Sequence, residues 1–367
     1  MPPEHDRAIA AGARSRSVAF APGRVNLIGE HTDYNGGLAL PFAIAAGVTV
    51  SAEPARAGTS AAARVSAYAR DLDEHDEFAL AAPEPAPGWR AFVRGSVAEL
   101  AGAGFPLIGA RLEIGGGVPP GAGLSSSAAL EVALCLALID VGARARPEAA
   151  QAVERTELAR LCARVENDWV GAHTGLLDQL SSLYGEPDRA LRIDFRTLRV
   201  EPVPLRLGGW RLVVLDSGEA HLHASSGYNE RRAECARACE LLGVASLRDA
   251  DSVEVEQLPE PLRRRARHVL AENGRVEAAV AALRGDDLAA IGVLLNAAHA
   301  SLRDDYEVST PAVDATVKRL LDAGAAGARI VGGGFGGSAL GLFAPGAQPP
   351  ADARAVRPSA GAHLLER

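Results

Sequence analysis

The chain has 367 residues, 48% of them hydrophobic and 23% charged. That length allows two domains with separate cores, and the composition excludes a disordered chain. A net charge of −8 argues against nucleic acid or an anionic membrane as a partner, so an anionic ligand must be held by local devices such as a helix start or a metal ion.

From the N-terminus, Met1 to Arg16 lacks the apolar stretch of a signal peptide. The uncharged span Tyr34 to Ala52 carries Gly36, Gly37, Pro41 and Gly47, a poor membrane helix. The cysteines Cys135, Cys162, Cys235 and Cys239 show no zinc spacing and need no disulfide in a chain of this size, which favours a reducing compartment. Cys235 and Cys239, four apart on a predicted helix, read as two small buried side chains. These features predict a soluble cytoplasmic protein.

The run Ala21-Pro22-Gly23-Arg24-Val25-Asn26-Leu27-Ile28-Gly29-Glu30-His31-Thr32-Asp33-Tyr34-Asn35-Gly36-Gly37 crowds charged and polar side chains among glycines. A core has little use for such density, whereas a site for a polyhydroxylated ligand does. Val48 to Ser51 follows as a short buried strand. Ala81 to Gly88, with three prolines, reads as a loop. Phe92, Val93, Val97 and Leu100 fall at helical spacing after Trp89.

Gly115-Gly116-Gly117-Val118-Pro119-Pro120-Gly121-Ala122-Gly123-Leu124-Ser125-Ser126-Ser127-Ala128-Ala129 opens an apolar, alanine-rich helix. Small residues before a helix start leave outward N–H groups unobstructed, and these together with the helix dipole suit a phosphate. A glycine hairpin leading into a serine-capped helix is the plainer alternative. The run is neither a Walker A loop nor a dinucleotide-binding fingerprint, since it lacks Gly-Lys-Ser/Thr and Ser126 stands where a third glycine belongs.

Leu158, Leu161, Cys162, Val165 and Trp169 predict a helix. After it, Gly175-Leu176-Leu177-Asp178-Gln179 sets an acid in an apolar stretch, where an aspartate is most often a cap or turn former. Glu166 on that helix is by itself a plain surface carboxylate. A change near residue 200 separates a glycine-rich half from a more helical one and predicts domains at 1–200 and 201–367. In the second half, Leu212 to Leu215 reads as a strand and Asp249 to Pro261 as a loop. Thr310-Pro311 begins a helix that Gly324 ends. Gly332-Gly333-Gly334-Phe335-Gly336-Gly337 joins two strand-like segments and permits close backbone approach to a ligand.

The first run resembles the signature of the galactokinases, within the wider superfamily of homoserine, mevalonate and phosphomevalonate kinases. The Pro-x-Gly-x-Gly-Leu-Ser-Ser-Ser-Ala-Ala loop resembles that superfamily's ATP-phosphate loop, and the run 332–337 resembles its third motif. Gly-x-x-Asp-Gln at 175–179 resembles the galactokinase segment that holds a catalytic aspartate. Ser225-Ser226-Gly227-Tyr228-Asn229-Glu230-Arg231-Arg232 and His299 to Ser309 are also similar to galactokinase segments. Departures are small: Val331 replaces the usual threonine, Ser338 a frequent cysteine, Leu176-Leu177 the usual Ile-Met. His173 stands where a proline or small residue is common and is assigned no role.

The resemblance implies an α+β, two-domain fold. A ribosomal-protein-S5-like N-terminal domain would meet a ferredoxin-like C-terminal one, with the active site in the cleft between them. It implies Mg2+- and ATP-dependent phosphorylation of D-galactose at its C1 hydroxyl to give α-D-galactose 1-phosphate, the first committed step of the Leloir pathway. Asp178 would accept or orient the C1 proton; Arg24 would keep Asp178 ionised and stabilise the transferring phosphoryl group. Glu30, His31, Thr32, Asp33, Gly175 and Tyr228 would bind the sugar. Gly121, Ala122, Gly123, Leu124, Ser125, Ser126 and Ser127 would hold ATP, and Ser127 with Glu166 would hold Mg2+. Galactose and ATP are the expected partners of a monomer, with no nucleic acid or membrane. N-acetylgalactosamine or arabinose stay open as sugars, because nothing in Glu30 to Asp33 settles C2. The complete Ser-Ser-Ser-Ala segment argues against a non-catalytic sensor.

Overall fold

A computed structural model describes residues 16–56, 58–117, 123–172, 174–219 and 224–365. In the N-terminal half the strands are β1 (Ser17–Asn26), β2 (Leu38–Ala39), β3 (Pro41–Pro54), β4 (Arg64–Ala69), β5 (Glu74–Ala79), β6 (Ala110–Gly116), β7 (Arg189–Asp194) and β8 (Arg199–Pro204). The helices there are α1 (Trp89–Gly102), α2 (Ser126–Ala145), α3 (Arg155–Arg164) and α4 (Leu177–Tyr184). The second half carries β9 (Arg211–Asp216), α5 (Ala224–Leu242), α6 (Ser252–Val255), α7 (Leu262–Arg284), α8 (Leu288–Asp304) and α9 (Pro311–Asp322). It closes with β10 (Ala325–Val331), β11 (Ser338–Phe343), β12 (Arg354–Val356) and β13 (His363–Leu364). The result is the expected α+β fold.

A six-stranded sheet has the order β13-β1-β3-β6-β4-β5, antiparallel except where β4 runs parallel to β6. Helix α2 lies against β1 and β3 of this sheet. Among the described helices, only α2 is long and apolar enough to cross a bilayer. Here the fold buries it instead: Val132, Leu134, Cys135, Leu138 and Val141 are at most 1% exposed. Each such aliphatic side chain contributes roughly 1.5–3 kcal/mol by leaving water.

A four-stranded sheet, β10-β11-β9-β12, carries the second half, with α9 packed on β10 and β11. A small third sheet, β2-β7-β8, stands beside them. One hydrophobic cluster joins Val25, Leu27 and Phe42 of the first half to Val276, Leu295 and Leu340 of the second, so the halves share packed surface. A division at residue 200 falls inside β8, which pairs with β7 of the first half. The C-terminal part is not a contiguous block after it, because β13 returns to pair with β1 and Pro358 bridges Ile44.

Local chemistry explains where elements start and stop. Thr310 caps α9 by accepting from the Val313 N–H, Pro311 opens it, and Gly324 follows its end at φ +92°. The segment 249–261, expected to be all loop, instead contains α6. Asp251 accepts from the Val253 and Glu254 N–H groups and nucleates that single turn. The helix expected through Trp169 is regular only to Arg164. It widens into a π-helical turn at Val165–Val170 and ends at Gly171 with φ +83°. Gly95 on α1 makes room for Trp169: a Cβ there would lie 2.7 Å from the indole Cγ.

Candidate active site

The sugar-signature loop leaves β1 at Asn26 and must fold back to β2. Gly29 permits this, since at φ +101° a Cβ would lie 2.6 Å from the Ala39 Cα. Thr32, expected to bind sugar, is instead fully buried within the loop. Its hydroxyl bonds the carbonyls of Gly29 (3.0 Å) and Leu38 (2.7 Å), while its own carbonyl accepts from the Gly37 N–H at 2.8 Å. With its hydroxyl committed to the turn, Thr32 braces the loop rather than lining the cleft.

Its neighbours do line the cleft. Glu30 is 4% exposed, forms an ion pair with Arg329 at 2.8 Å and accepts from the Gly332 N–H at 2.9 Å. His31 sits at φ +61°, and burial, with His268 nearby, holds its imidazole well below the usual range, hence neutral. Burial, reinforced by the Asp178 charge, pushes the Asp33 carboxyl up to about 6. Asp33 rests against Gly175, where a Cβ would come within 2.0 Å of its Oδ2. Only glycine leaves that space free.

Asp178 stands at the start of α4, on the floor of the cleft. Arg24 donates from Nε to its Oδ1 at 2.7 Å and from Nη1 to the Gly123 carbonyl at 2.7 Å. The Ser125 hydroxyl donates to the other carboxylate oxygen, Oδ2. Ser125 takes φ +59° and offers no side-chain cap to α2. The alternative of a serine-capped helix therefore fails, and the first-turn N–H groups of α2 carry no side-chain cap. Of the expected ATP residues, Gly121 and Ala122 lie outside the described residues, as does His173. Gly123, Leu124, Ser125, Ser126 and Ser127 all line the cleft.

Glu166, brought inward by the π-helical turn, is 6% exposed. It accepts from the neutral side chains of Ser127 (2.9 Å), Thr174 (2.7 Å) and Gln179 (3.0 Å). Burial, and then the Asp178 charge, raises its carboxyl. A buried acid with only neutral donors, joined to a hydroxyl beside a phosphate-type helix start, is a donor set that suits a hard cation.

The opposite wall comes from the second half. Tyr228 and Asn229 on α5 face the cleft, with the backbone of Gly332, Gly333 and Gly334. Gly332 runs so close to the phosphate loop that a Cβ would lie 3.2 Å from the Gly123 carbonyl. Asn229 was missed in the sequence, although it stands beside Tyr228. Its buried Oδ1 has no protein partner. The enclosed space is about 280 Å3.

Fold and cleft together define a small-molecule kinase of the GHMP class. Family models for the N-terminal and C-terminal GHMP kinase domains match residues 91–186 and 279–363. A galactokinase galactose-binding signature matches residues 9–54. A galactokinase of Streptomyces coelicolor is 42% identical, covering 90% of this chain and 85% of its own length. One of Mycobacterium tuberculosis is 44% identical, covering 88% and 87%. A solved Lactococcus lactis galactokinase complexed with galactose superposes with a TM-score of 0.87 at 33% identity, over 99% of this chain and 98% of that one. A solved mevalonate kinase, at 16% identity and a TM-score of 0.64, shares the fold. The chain belongs to the galactokinase family and is an ATP-dependent sugar kinase.

Proposed function

We propose that the protein transfers the γ-phosphoryl group of Mg·ATP to the C1 hydroxyl of D-galactose, releasing α-D-galactose 1-phosphate and ADP in the cytoplasm as the opening step of the Leloir route. The observation that carries this reading is the Asp178 carboxylate, held by Arg24 on one oxygen and Ser125 on the other. The same cleft is lined by the start of α2, which has no side-chain cap, and by Glu30, His31 and Asp33.

Phosphoryl transfer asks for positioning and electrostatic stabilisation more than covalent chemistry. Glu30, His31, Asp33, Tyr228 and the Gly175 backbone bind the sugar hydroxyls and turn C1 toward Asp178. One Asp178 oxygen takes the C1 proton, or at least aims that oxygen at the phosphorus. Arg24 stabilises charge as it builds on the transferring group. The α2 N–H groups and Ser126 hold the phosphates. Ser127 and Glu166 would hold Mg2+, which would supply positive charge to offset that of the phosphates. Buried polar partners also give the cleft its means of selection, because a sugar lacking one hydroxyl leaves such a partner unsatisfied.

The test is ADP release by the purified protein, with Mg2+ present or chelated, on galactose, glucose, N-acetylgalactosamine and arabinose, with the product's phosphate position read by NMR. Metal-dependent turnover with galactose alone, phosphorylated at C1, is the expected result. Turnover on another sugar moves the specificity; binding without turnover makes the protein a sensor and sinks the reading.

A further inference from the structure

Gln179, the neighbour of Asp178 on α4, carries no role in the transfer above, yet it is fully buried between two acids. Its Nε2 lies 3.0 Å from Glu166 Oε2 and 3.1 Å from Glu131 Oε2. Glu131 stands one turn beyond Ser127 on α2, so the two share a face of that helix, and it too is fully buried. The other Glu131 oxygen, Oε1, has no hydrogen-bond partner, and neither has Gln179 Oε1. These neighbours fix the orientation of the amide. Turned over, Gln179 would set its oxygen against two carboxylate oxygens and lose both hydrogen bonds.

The two oxygens of Glu166 are consequently unlike. Oε2 accepts from Gln179 and, at 2.7 Å, from the Thr174 hydroxyl. Among the described residues Oε1 accepts only from the Ser127 hydroxyl, at 2.9 Å. Each carboxylate oxygen has about two lone-pair sites, so Oε2 is filled and Oε1 keeps one free. The Ser127 separation matters as well. Two oxygens on adjacent corners of an octahedron with metal–oxygen distances of about 2.0–2.1 Å stand about 2.9 Å apart, and an octahedron is what Mg2+ demands.

We infer, resting on the Mg2+ assignment above, that Gln179 and Thr174 are positioning residues for the metal. They occupy Glu166 Oε2, so that Oε1 alone, beside the Ser127 hydroxyl, meets the cation. Glu131 is the second anchor that keeps the Gln179 amide donating. Without these donors the Glu166 carboxylate is free to rotate and to offer the cation both oxygens or neither. Removing partners that orient a metal ligand typically costs about 10–100-fold in metal affinity.

The experiment reads the metal directly, by EPR of Mn2+ titrated into the full chain with ADP, since Mn2+ favours the same oxygen donors. Gln179→Met and Thr174→Val each remove one donor at nearly constant size and should weaken Mn2+ binding by about tenfold or more. Metal-free ADP and galactose, followed by calorimetry, should bind as in the wild-type chain, which a general disturbance of the cleft would not allow. Thr174→Ser, which keeps the hydroxyl, should keep the wild-type Mn2+ affinity, and Glu131→Leu should fall between wild type and Gln179→Met. Thr174 lies on the cleft wall, so its variants serve if a substitution at the buried Gln179 prevents folding. Unchanged Mn2+ affinity in both Gln179→Met and Thr174→Val, or an equal loss of metal-free ADP binding, overturns the inference. A wild-type chain that binds ADP but no Mn2+ removes the metal site itself and the inference with it. Mn2+ binding that is lost in both variants of a protein unable to phosphorylate galactose supports the inference and removes only the sugar assignment.

Discussion

Arg24 Nε donates to Asp178 Oδ1 at 2.7 Å, joining residues 154 positions apart in the chain. Arg24 is 6% exposed, and the second hydrogen bond of its guanidinium, to the Gly123 carbonyl, ties it to the phosphate loop. One side chain therefore touches both the acid that would meet the sugar and the loop that would meet ATP. Asp178→Asn should cut turnover by at least ~100-fold, the scale of a lost general base, while the galactose Kd from calorimetry stays nearly constant. Arg24→Ala should lose turnover comparably, again with little change in sugar affinity. Near wild-type turnover in the Asp178→Asn protein would remove Asp178 from the mechanism.

Asp33 couples pH to both stability and binding. Burial first, and Asp178 second, pushes its carboxyl up to about 6 from an ordinary 3.8. Folded protein therefore holds a proton there over a pH range where the unfolded chain has lost it. That contribution to stability is complete below the unfolded value and is lost as pH rises through about 6. Asp33→Asn should flatten this fall and, at pH 8, exceed the parent by on the order of 1–2 kcal/mol in urea unfolding. Binding runs the other way, because the charged carboxylate is the better acceptor for sugar hydroxyls. The galactose KM should rise as pH drops below 6, and a KM flat from pH 5 to 8 would contradict this role.

How much of this was legible in the sequence depends on how local each feature is. The glycine-rich helix start, the acid at 178 and the dense loop 24–37 each announce themselves within a few neighbouring residues. Thr32 misleads because its type fits a sugar site, and only the folded turn shows its hydroxyl bonded to two carbonyls. Ser125 is read as a phosphate or cap residue, yet its left-handed backbone turns the hydroxyl to Asp178. Arg329 pairs with Glu30 from 299 positions away, and Gly332 bonds the same carboxylate from 302. No local pattern encodes those partners. The π-helical turn at 165–170 is equally hidden, since its apolar spacing matches an ordinary helix while its geometry brings Glu166 inward.

Gly175 tests the shape of the cleft apart from its charges. A methyl group there would overlap the Asp33 carboxylate, at 2.0 Å from Oδ2. Gly175→Ala should displace Asp33 and raise the galactose KM by about tenfold or more, the penalty of a misplaced buried partner, with the ATP KM little changed. An equal rise in both Michaelis constants would mean that the substitution disturbs the cleft as a whole.

The buried ion pair at the base of the sugar loop should make a large contribution to stability. Arg329 is fully buried, lies 2.8 Å from Glu30 and donates to the carbonyls of Leu27 and Ile330. It thereby fastens β10 to the signature loop. Arg329→Met would leave the Glu30 carboxylate buried without its cation and should destabilise the protein by about 3–5 kcal/mol. Removing both charges, as Glu30→Gln with Arg329→Met, should restore part of that loss because no isolated charge remains. Sugar binding should stay impaired in the double variant, since Glu30 also lines the cleft. Urea unfolding of the two variants decides the matter: a loss under about 1 kcal/mol in Arg329→Met, the range of a surface pair, would show that the ion pair is not what anchors the loop.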